Sequence, residues 1–217
     1  MQGLPLRSSS LALVFSGKPV FSVVHDPALR KTFVAKRGCG ATCNGSRLAV
    51  SCKQNLEAAV LGTSIPPLAQ VGREERDRVM ALLKVASDSV FVNRPMAAVS
   101  LQLAYVAAGR LDGFWETGND PSDWLAGSLL VTKAGGQATT LAGEEIATGD
   151  GILAGNRTIF LPSPAYISEL RVSEQSMNSP RLSIGAKISC LLSQIGDKRA
   201  HRGAQLAMAR IVEAQPG

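Results

Sequence analysis

Two carboxylates are the residues of this chain whose placement could do chemistry. Glu116 and Asp123 flank a turn in the stretch Asp112 to Gly136, DGFWETGNDPSDWLAGSLLVTKAGG, which runs directly into an apolar segment. Each also has a purely structural reading. A carboxylate in the first turn of a helix, as Asp123 would be, is a common stabilising device worth about 0.3–1 kcal/mol. Glu116 reads equally as a solvated strand end, and Asp112 before Gly113 as turn chemistry. By themselves these residues establish no motif.

The elements that must position them are legible in part. Asp120-Pro121-Ser122-Asp123 reads as a helix start, with Asp120 at the N-cap and Pro121 at the first helical position, and Gly135-Gly136 closes that helix. Upstream, Arg73 to Ser89 and Ala97 to Ala108 have helical spacing, the second stopped by Gly109. Leu11 to Phe15 and Val20 to Val24 predict a β-hairpin about Ser16-Gly17-Lys18-Pro19. Lys31 to Ala35 predicts a third strand, Gly38 to Gly45 a glycine-rich corner ending in the Asn44-Gly45 turn, and Leu48 to Ser51 a fourth strand. Ile152 to Ala154 predicts a short strand after Gly151. Beyond Phe160 the composition shifts to proline and serine, and Ile184, Ile188, Leu191, Leu192 and Ile195 follow helical spacing before a basic patch from Lys198 to Arg202. The expected division is residues 1–92 for an α+β lobe with antiparallel sheet, 93–160 for an α/β lobe carrying Asp123, and 161–217 for a divergent tail.

At 217 residues with 45% hydrophobic content, the chain can fill a sizeable core as one large domain or two small ones. No apolar run approaches the ~18 residues of a membrane span, and the apolar patch near the N-terminus is too short for a secretory leader. Cys39, Cys43, Cys52 and Cys190 form no CxxC pair and have no nearby histidine, so reduced thiols in a cytoplasm are expected rather than a zinc site or a disulfide framework. The net charge of +6 favours an anionic ligand only weakly, because Lys and Arg are scattered outside Lys198 to Arg202. Nucleic-acid binding ranks last, for want of aromatic interleaving or a recognition helix.

Taken together, the string Ser122-Asp123-Trp124-Leu125-Ala126-Gly127 followed by Lys133-Ala134-Gly135-Gly136 resembles the C-terminal signature of the inositol monophosphatase family, W-D-x-A-[AG]-G, then an apolar run and E-A-G-G. The resemblance extends back through LQLAYVAAG (Leu101 to Gly109), Arg94, GCGATCN (Gly38 to Asn44) and His25-Asp26-Pro27, and forward to Gly155-Asn156, covering most of Leu11 to Phe160. It implies an α/β layered sandwich, the family's sugar-phosphatase fold, and magnesium-dependent hydrolysis of a small phosphomonoester such as inositol phosphate. It further implies that Asp123 is a metal ligand, that Glu116 contacts a substrate hydroxyl, and that Ala97 and Ala98 lie near the substrate ring where the family has Gly and then Ser or Thr. Ser122 departs from the family's Trp and Lys133 from its Glu.

The family's upstream glutamate and its D-P-[IL]-D-G-T stretch have no counterpart in this sequence, which therefore looks N-terminally shortened, lacking the first helices and the first metal-binding motif. Magnesium demands near-octahedral oxygen coordination, so Asp123 alone cannot build the cage. Little phosphatase activity is expected from this chain by itself. The rival reading is a non-catalytic remnant or interaction protein. The absent segment covers the sheet in the family, so exposed apolar surface and sheet edge are expected, with a homodimer or association with a full-length homologue as the consequence.

Overall fold

A computed structural model of the chain describes residues 5–141, 143–146 and 151–160. The helix and basic patch expected within 161–217 lie outside the described residues.

The first forty described residues make a meander because each turn has the residues that its geometry requires. Strand β1 (Ser9–Phe15) turns into β2 (Lys18–Asp26) through Ser16 and Gly17, at φ 49° and 74°. These left-handed values suit the two-residue hairpin turn that matches the strand twist. A bulge between Leu13 and Val14 breaks the register. β3 (Lys31–Lys36) follows as expected, and β4 (Gly40–Cys43) lies inside the glycine-rich corner. The fourth strand expected at Leu48 to Ser51 does not form. Asn44-Gly45 reverses the chain at once, so β5 is only Ser46–Arg47. Val50 N–H then bonds to the carbonyl of Ala134 instead of a strand. The sheet order is β1-β2-β3-β4-β5, antiparallel throughout.

The second sheet is mixed, in the order β7-β6-β8-β10-β9. β6 (Val60–Thr63) lies centrally and pairs in parallel with both β7 (Val92–Pro95) and β8 (Gly113–Glu116). β10 (Ile152–Gly155) pairs antiparallel with β8 and with β9 (Gln137–Thr139). The division expected at residue 92 falls within β7, and this sheet draws β6 from before it and β8 to β10 from after it.

Helix α1 (Leu68–Ser87) joins β6 to β7. It begins five residues before the expected Arg73 and is interrupted at Gly72, whose φ of 78° and ψ of 175° set residues 68–71 off as a separate turn. Its buried Val79, Leu82 and Ala86 pack with Leu61, Trp115 and Leu153 on one face of the second sheet. Helices α2 (Val99–Ala107) and α3 (Pro121–Lys133) are apolar nearly all round because they lie between the two sheets. There Leu103, Val106, Leu130 and Val131 pack with Val24, Phe33 and Ala35 of the first sheet and with Phe114, Ile152 and Ala154 of the second. Close helix contact depends on Gly127, where a Cβ would stand 2.3 Å from that of Leu103. A short α4 (Arg157–Phe160) closes the described chain. The result is a layered α/β sandwich.

One polar cluster holds these layers in register. Asp26, fully buried, accepts bonds from the N–H groups of Ala28 and Leu29 and from the Tyr105 hydroxyl of α2, 3.0 Å away. Burial, and then that contact with Asp26, raise the Tyr105 pKa and keep the hydroxyl protonated as a donor. Arg110 stacks 5.1 Å over the Tyr105 ring.

The outer face of the first sheet is a different surface. Alternation puts Val24, Phe33 and Ala35 in the core, so their neighbours Phe21, Val23 and Val34 point the other way, with Leu11 opposite Val23 and Leu13 opposite Phe21. Leu11 and Leu13 are more than half exposed and Phe15 is 70% exposed. Among the described residues, the helices that pack on this sheet lie on its inner face.

Candidate functional site

The site forms where β8 ends and α3 begins. Glu116 is the last residue of β8, a strand buried along its whole length, and its own side chain is buried, with the residue only 5% exposed. The backbone fixes it from both sides. Thr63 Oγ1 of β6 donates to the Trp115 carbonyl at 2.9 Å, and the Trp115 indole N–H donates to Asn93 Oδ1 of β7. On the β10 side, Gly151 sits at φ 70°, and a Cβ there would fall 2.4 Å from the Glu116 carbonyl oxygen.

Gly151→Ala is therefore expected to lower stability by about 2–3 kcal/mol. Left-handed backbone costs an L-residue about 1–2 kcal/mol, and a collision with backbone cannot be relieved by a rotamer change. Urea denaturation should show this loss, and an unchanged midpoint would contradict the tight fit at Glu116.

Four residues on, the Asp120 carboxylate accepts from Ser122 N–H at 2.9 Å, capping α3 with Pro121 in its first turn, as the sequence indicates. Those bonds from Ser122 hold the Asp120 carboxyl below the usual carboxylate range. Asp123 stands in the first turn of α3. Its backbone carbonyl accepts the Ser100 hydroxyl of α2 at 2.5 Å, which ties the two helix starts together. Partial burial and then the neighbouring Asp120 charge raise the Asp123 pKa.

Glu116, Asp120 and Asp123 line one cleft of about 1000 Å³, with Ala97 and Met96 at the entry to α2 and Ile65, Pro66 and Leu141 as apolar walls. Burial, and then the charges of Asp123 and Asp120, push the Glu116 pKa up to about 8. Glu116 Oε1 is buried without a hydrogen-bond partner. A carboxyl in this state is protonated at neutral pH and can donate to an alcohol oxygen as well as accept from a hydroxyl. Buried polar atoms are nearly always paired, so this orphan marks a place where a ligand group would be satisfied.

The structure thus brings Glu116, Asp123 and Ala97 into one cleft. Ala98 does not line it; it starts α2 at φ 60°, a left-handed conformation strained for a residue with a Cβ. Arg94 is exposed on β7 and is not among the lining residues. Sequence reasoning missed Ser100 and Gly151. The first gave no local signal, and Gly151 was read only as a turn before β10.

Magnesium is the cation the carboxylates would invite. Among the described residues, no group of three or more His, Cys, Asp or Glu side chains could hold a metal ion. Glu116 favours its neutral form and Asp120 is occupied by its own helix cap. That leaves Asp123 as a lone ionised carboxylate in the cleft lining, and one carboxylate does not make a resident magnesium site, so the described residues do not by themselves fit that ion.

Comparison with known proteins bears on what the cleft is. The model of the inositol monophosphatase family matches residues 2–178. The inositol-1-monophosphatase of Mesorhizobium japonicum is 36% identical over 160 residues, which are 73% of this chain and 59% of that one. The Nus factor SuhB of Pseudomonas aeruginosa is 38% identical over 161 residues, 74% of this chain and 59% of that one. Among solved structures, the Thermotoga maritima IMPase aligns with a TM-score of 0.69 at 29% identity, covering 89% of this chain and 65% of its own. This chain spans about three fifths of the length of the curated relatives it matches. No helix among the described residues is long and apolar enough to cross a membrane.

Proposed function

The chain belongs to the inositol monophosphatase family, and we propose that its cleft receives a small phosphorylated alcohol, inositol phosphate or a similar phosphomonoester, with Glu116 on a hydroxyl of the alcohol. The observation that carries this reading is the buried Glu116 carboxyl, whose Oε1 has no hydrogen-bond partner, beside Asp123 in an open cleft. Ala97 on the cleft wall offers no hydroxyl, so fewer polar contacts would discriminate between alcohols.

The family reaction is hydrolysis of the phosphate ester with magnesium. Because the described residues do not fit that ion, they supply alcohol recognition and not the hydrolytic step. Phosphoryl transfer rests almost wholly on positioning and electrostatic stabilisation, so a site short of several ligands loses most of the rate rather than a fraction of it. The second reading, an interaction protein without catalysis, is favoured by that same misfit, and relatives at similar identity carry both phosphatase and Nus-factor names. We place the protein in the cytoplasm, where Cys39, Cys43 and Cys52 remain free thiols.

The test is phosphate release from inositol 1-phosphate by the full chain, with and without magnesium, alongside Asp123→Asn and a calorimetric binding titration. The expected result is no release above background, together with measurable binding that weakens about tenfold in Glu116→Ala, the worth of one hydrogen bond to a charged or strongly polar group. Turnover that needs magnesium and disappears in Asp123→Asn would show a working metal site. Absence of binding would leave the interaction reading.

A further inference from the structure

Ala98 stands at φ 60° and ψ 75° where α2 begins, and the bend it makes with Met96 and Ala97 carries one wall of the cleft. An L-residue persists in this left-handed conformation only where its surroundings fix it. Among the described residues no side chain caps the start of α2. A buried amide one turn further along takes that place. Gln102, only 1% exposed, donates from Nε2 to the Met96 carbonyl at 3.0 Å and to the Thr63 carbonyl at 3.2 Å. Met96 N–H bonds to the same Thr63 carbonyl. Thr63 ends β6, and its Oγ1 donates to the Trp115 carbonyl next to Glu116. One side chain thus ties the bend after β7 to the end of β6, and through Thr63 to the end of β8.

The orientation of that amide follows from its partners. Both are carbonyls, which only accept, so the NH2 group must face them. Oε1 is left buried with no hydrogen-bond partner among the described residues, against Gly62, where a Cβ would stand 2.4 Å from it. Buried acceptors are nearly always paired, so the fold tolerates an orphan here to keep two donor bonds.

We propose that Gln102 is a positioning residue: its amide clamps the strained bend at residues 96–98 against the end of β6, so that ligand affinity depends on a side chain outside the cleft lining. The clamp stands on its own geometry, whereas its effect on affinity rests on the cleft receiving a phosphorylated alcohol.

Amide exchange of the full chain, read residue by residue by NMR, tests the clamp. Gln102→Met keeps nearly the same volume without donors. In it the amides of Met96 and Leu101, bonded to the Thr63 and Ala98 carbonyls, should exchange at least roughly tenfold faster, while those of β2 and β3 stay unchanged. Inositol 1-phosphate should bind this variant roughly tenfold more weakly. Gln102→Glu adds a readout that lost packing would not move. Its carboxyl donates only when protonated, so Met96 exchange, compared with the unaltered chain at each pH, should be near normal in acid and faster once the group ionises. Should either variant fail to fold, the unaltered chain answers through the Gln102 side-chain amide, whose protons should show Overhauser contacts to Met96 and shift on addition of inositol 1-phosphate. Uniform acceleration, unchanged Met96 exchange, faster Met96 exchange with unchanged affinity, or absence of those contacts overturns the proposal. Failure of the unaltered chain to bind would defeat the reading of the cleft, and the exchange rates would still decide the clamp.

Discussion

Glu116→Gln is expected to make the fold more stable at pH 8 while leaving it unchanged near pH 4.5. Burial is the first cause of the raised pKa of Glu116, with the charges of Asp123 and Asp120 behind it, so the folded chain prefers the neutral carboxyl up to about pH 8. In the unfolded chain the same group ionises from about 4.5. Below 4.5 it is neutral in both states and the folded chain incurs no penalty. Between 4.5 and about 8 the unfolded chain releases a proton that the folded chain retains, and stability falls as pH rises. At 1.36 kcal/mol per pH unit, that interval amounts to about 5 kcal/mol, comparable with the whole stability of a small domain. Gln fills the same space and cannot ionise, so the variant should lack this slope. Denaturation at pH 5 and pH 8 measures it, and parallel pH profiles for the two proteins would show that Glu116 ionises normally. Ligand binding at neutral pH should change little in this variant, since the amide also donates and accepts, in contrast to the loss expected of Glu116→Ala.

How far the sequence could reveal this site depends on how local each signal was. The α3 start was legible because a cap, a proline and a first-turn carboxylate lie within four residues, and the structure shows Asp120 bonded to Ser122 N–H. The β1–β2 hairpin was legible for the same reason, its turn residues adopting positive φ. Strands β6 and β8, central to the second sheet, gave no comparable signal. Each has four residues, is buried on both faces and so lacks alternation. Glu116 was accordingly read as a solvated strand end, whereas the sheet and helix around it enclose it. The family resemblance reached further than periodicity because it joined residues far apart in sequence. It implies a metal-ligand role for Asp123 and a substrate contact for Glu116, and both residues line one cleft. Leu48 to Ser51 shows the opposite failure, since an apolar run with strand propensity is taken from the sheet by a bond to Ala134.

Asp112→Ala should be the most damaging change at any single polar residue of the described fold, and its cause lies entirely in contacts across more than fifty residues. The Asp112 carboxylate is buried and accepts three bonds, from Ser51 Oγ at 2.5 Å, Lys53 Nζ at 2.8 Å and Val60 N–H at 2.7 Å. Its backbone completes the knot, with Asp112 N–H bonded to the Val60 carbonyl and Asn156 N–H bonded to the Asp112 carbonyl. Asn156 Nδ2 reaches Ser51 Oγ at 2.7 Å, and Thr158 Oγ1 reaches the Lys53 carbonyl at 2.6 Å. One carboxylate thus joins the loop before β6, the start of β8 and the turn after β10. Alanine would leave the half-buried Val60 N–H and Ser51 hydroxyl without their acceptor. Lys53, 45% exposed, would recover much of its loss in water, so its ion pair adds at most about 1 kcal/mol. An unsatisfied buried donor costs about 1–3 kcal/mol, and together these terms give about 3–5 kcal/mol. Asp112→Asn retains an acceptor for Val60 N–H but turns an amide donor toward Ser51 or Lys53, and should lose about half as much. Urea midpoints for the two variants test that ordering. A ratio near one would mean that charge rather than the Val60 bond holds the knot. Asp112 immediately precedes β8, whose last residue is Glu116, so the variant that loosens the knot should also weaken ligand binding, although Asp112 itself is not among the residues that line the cleft.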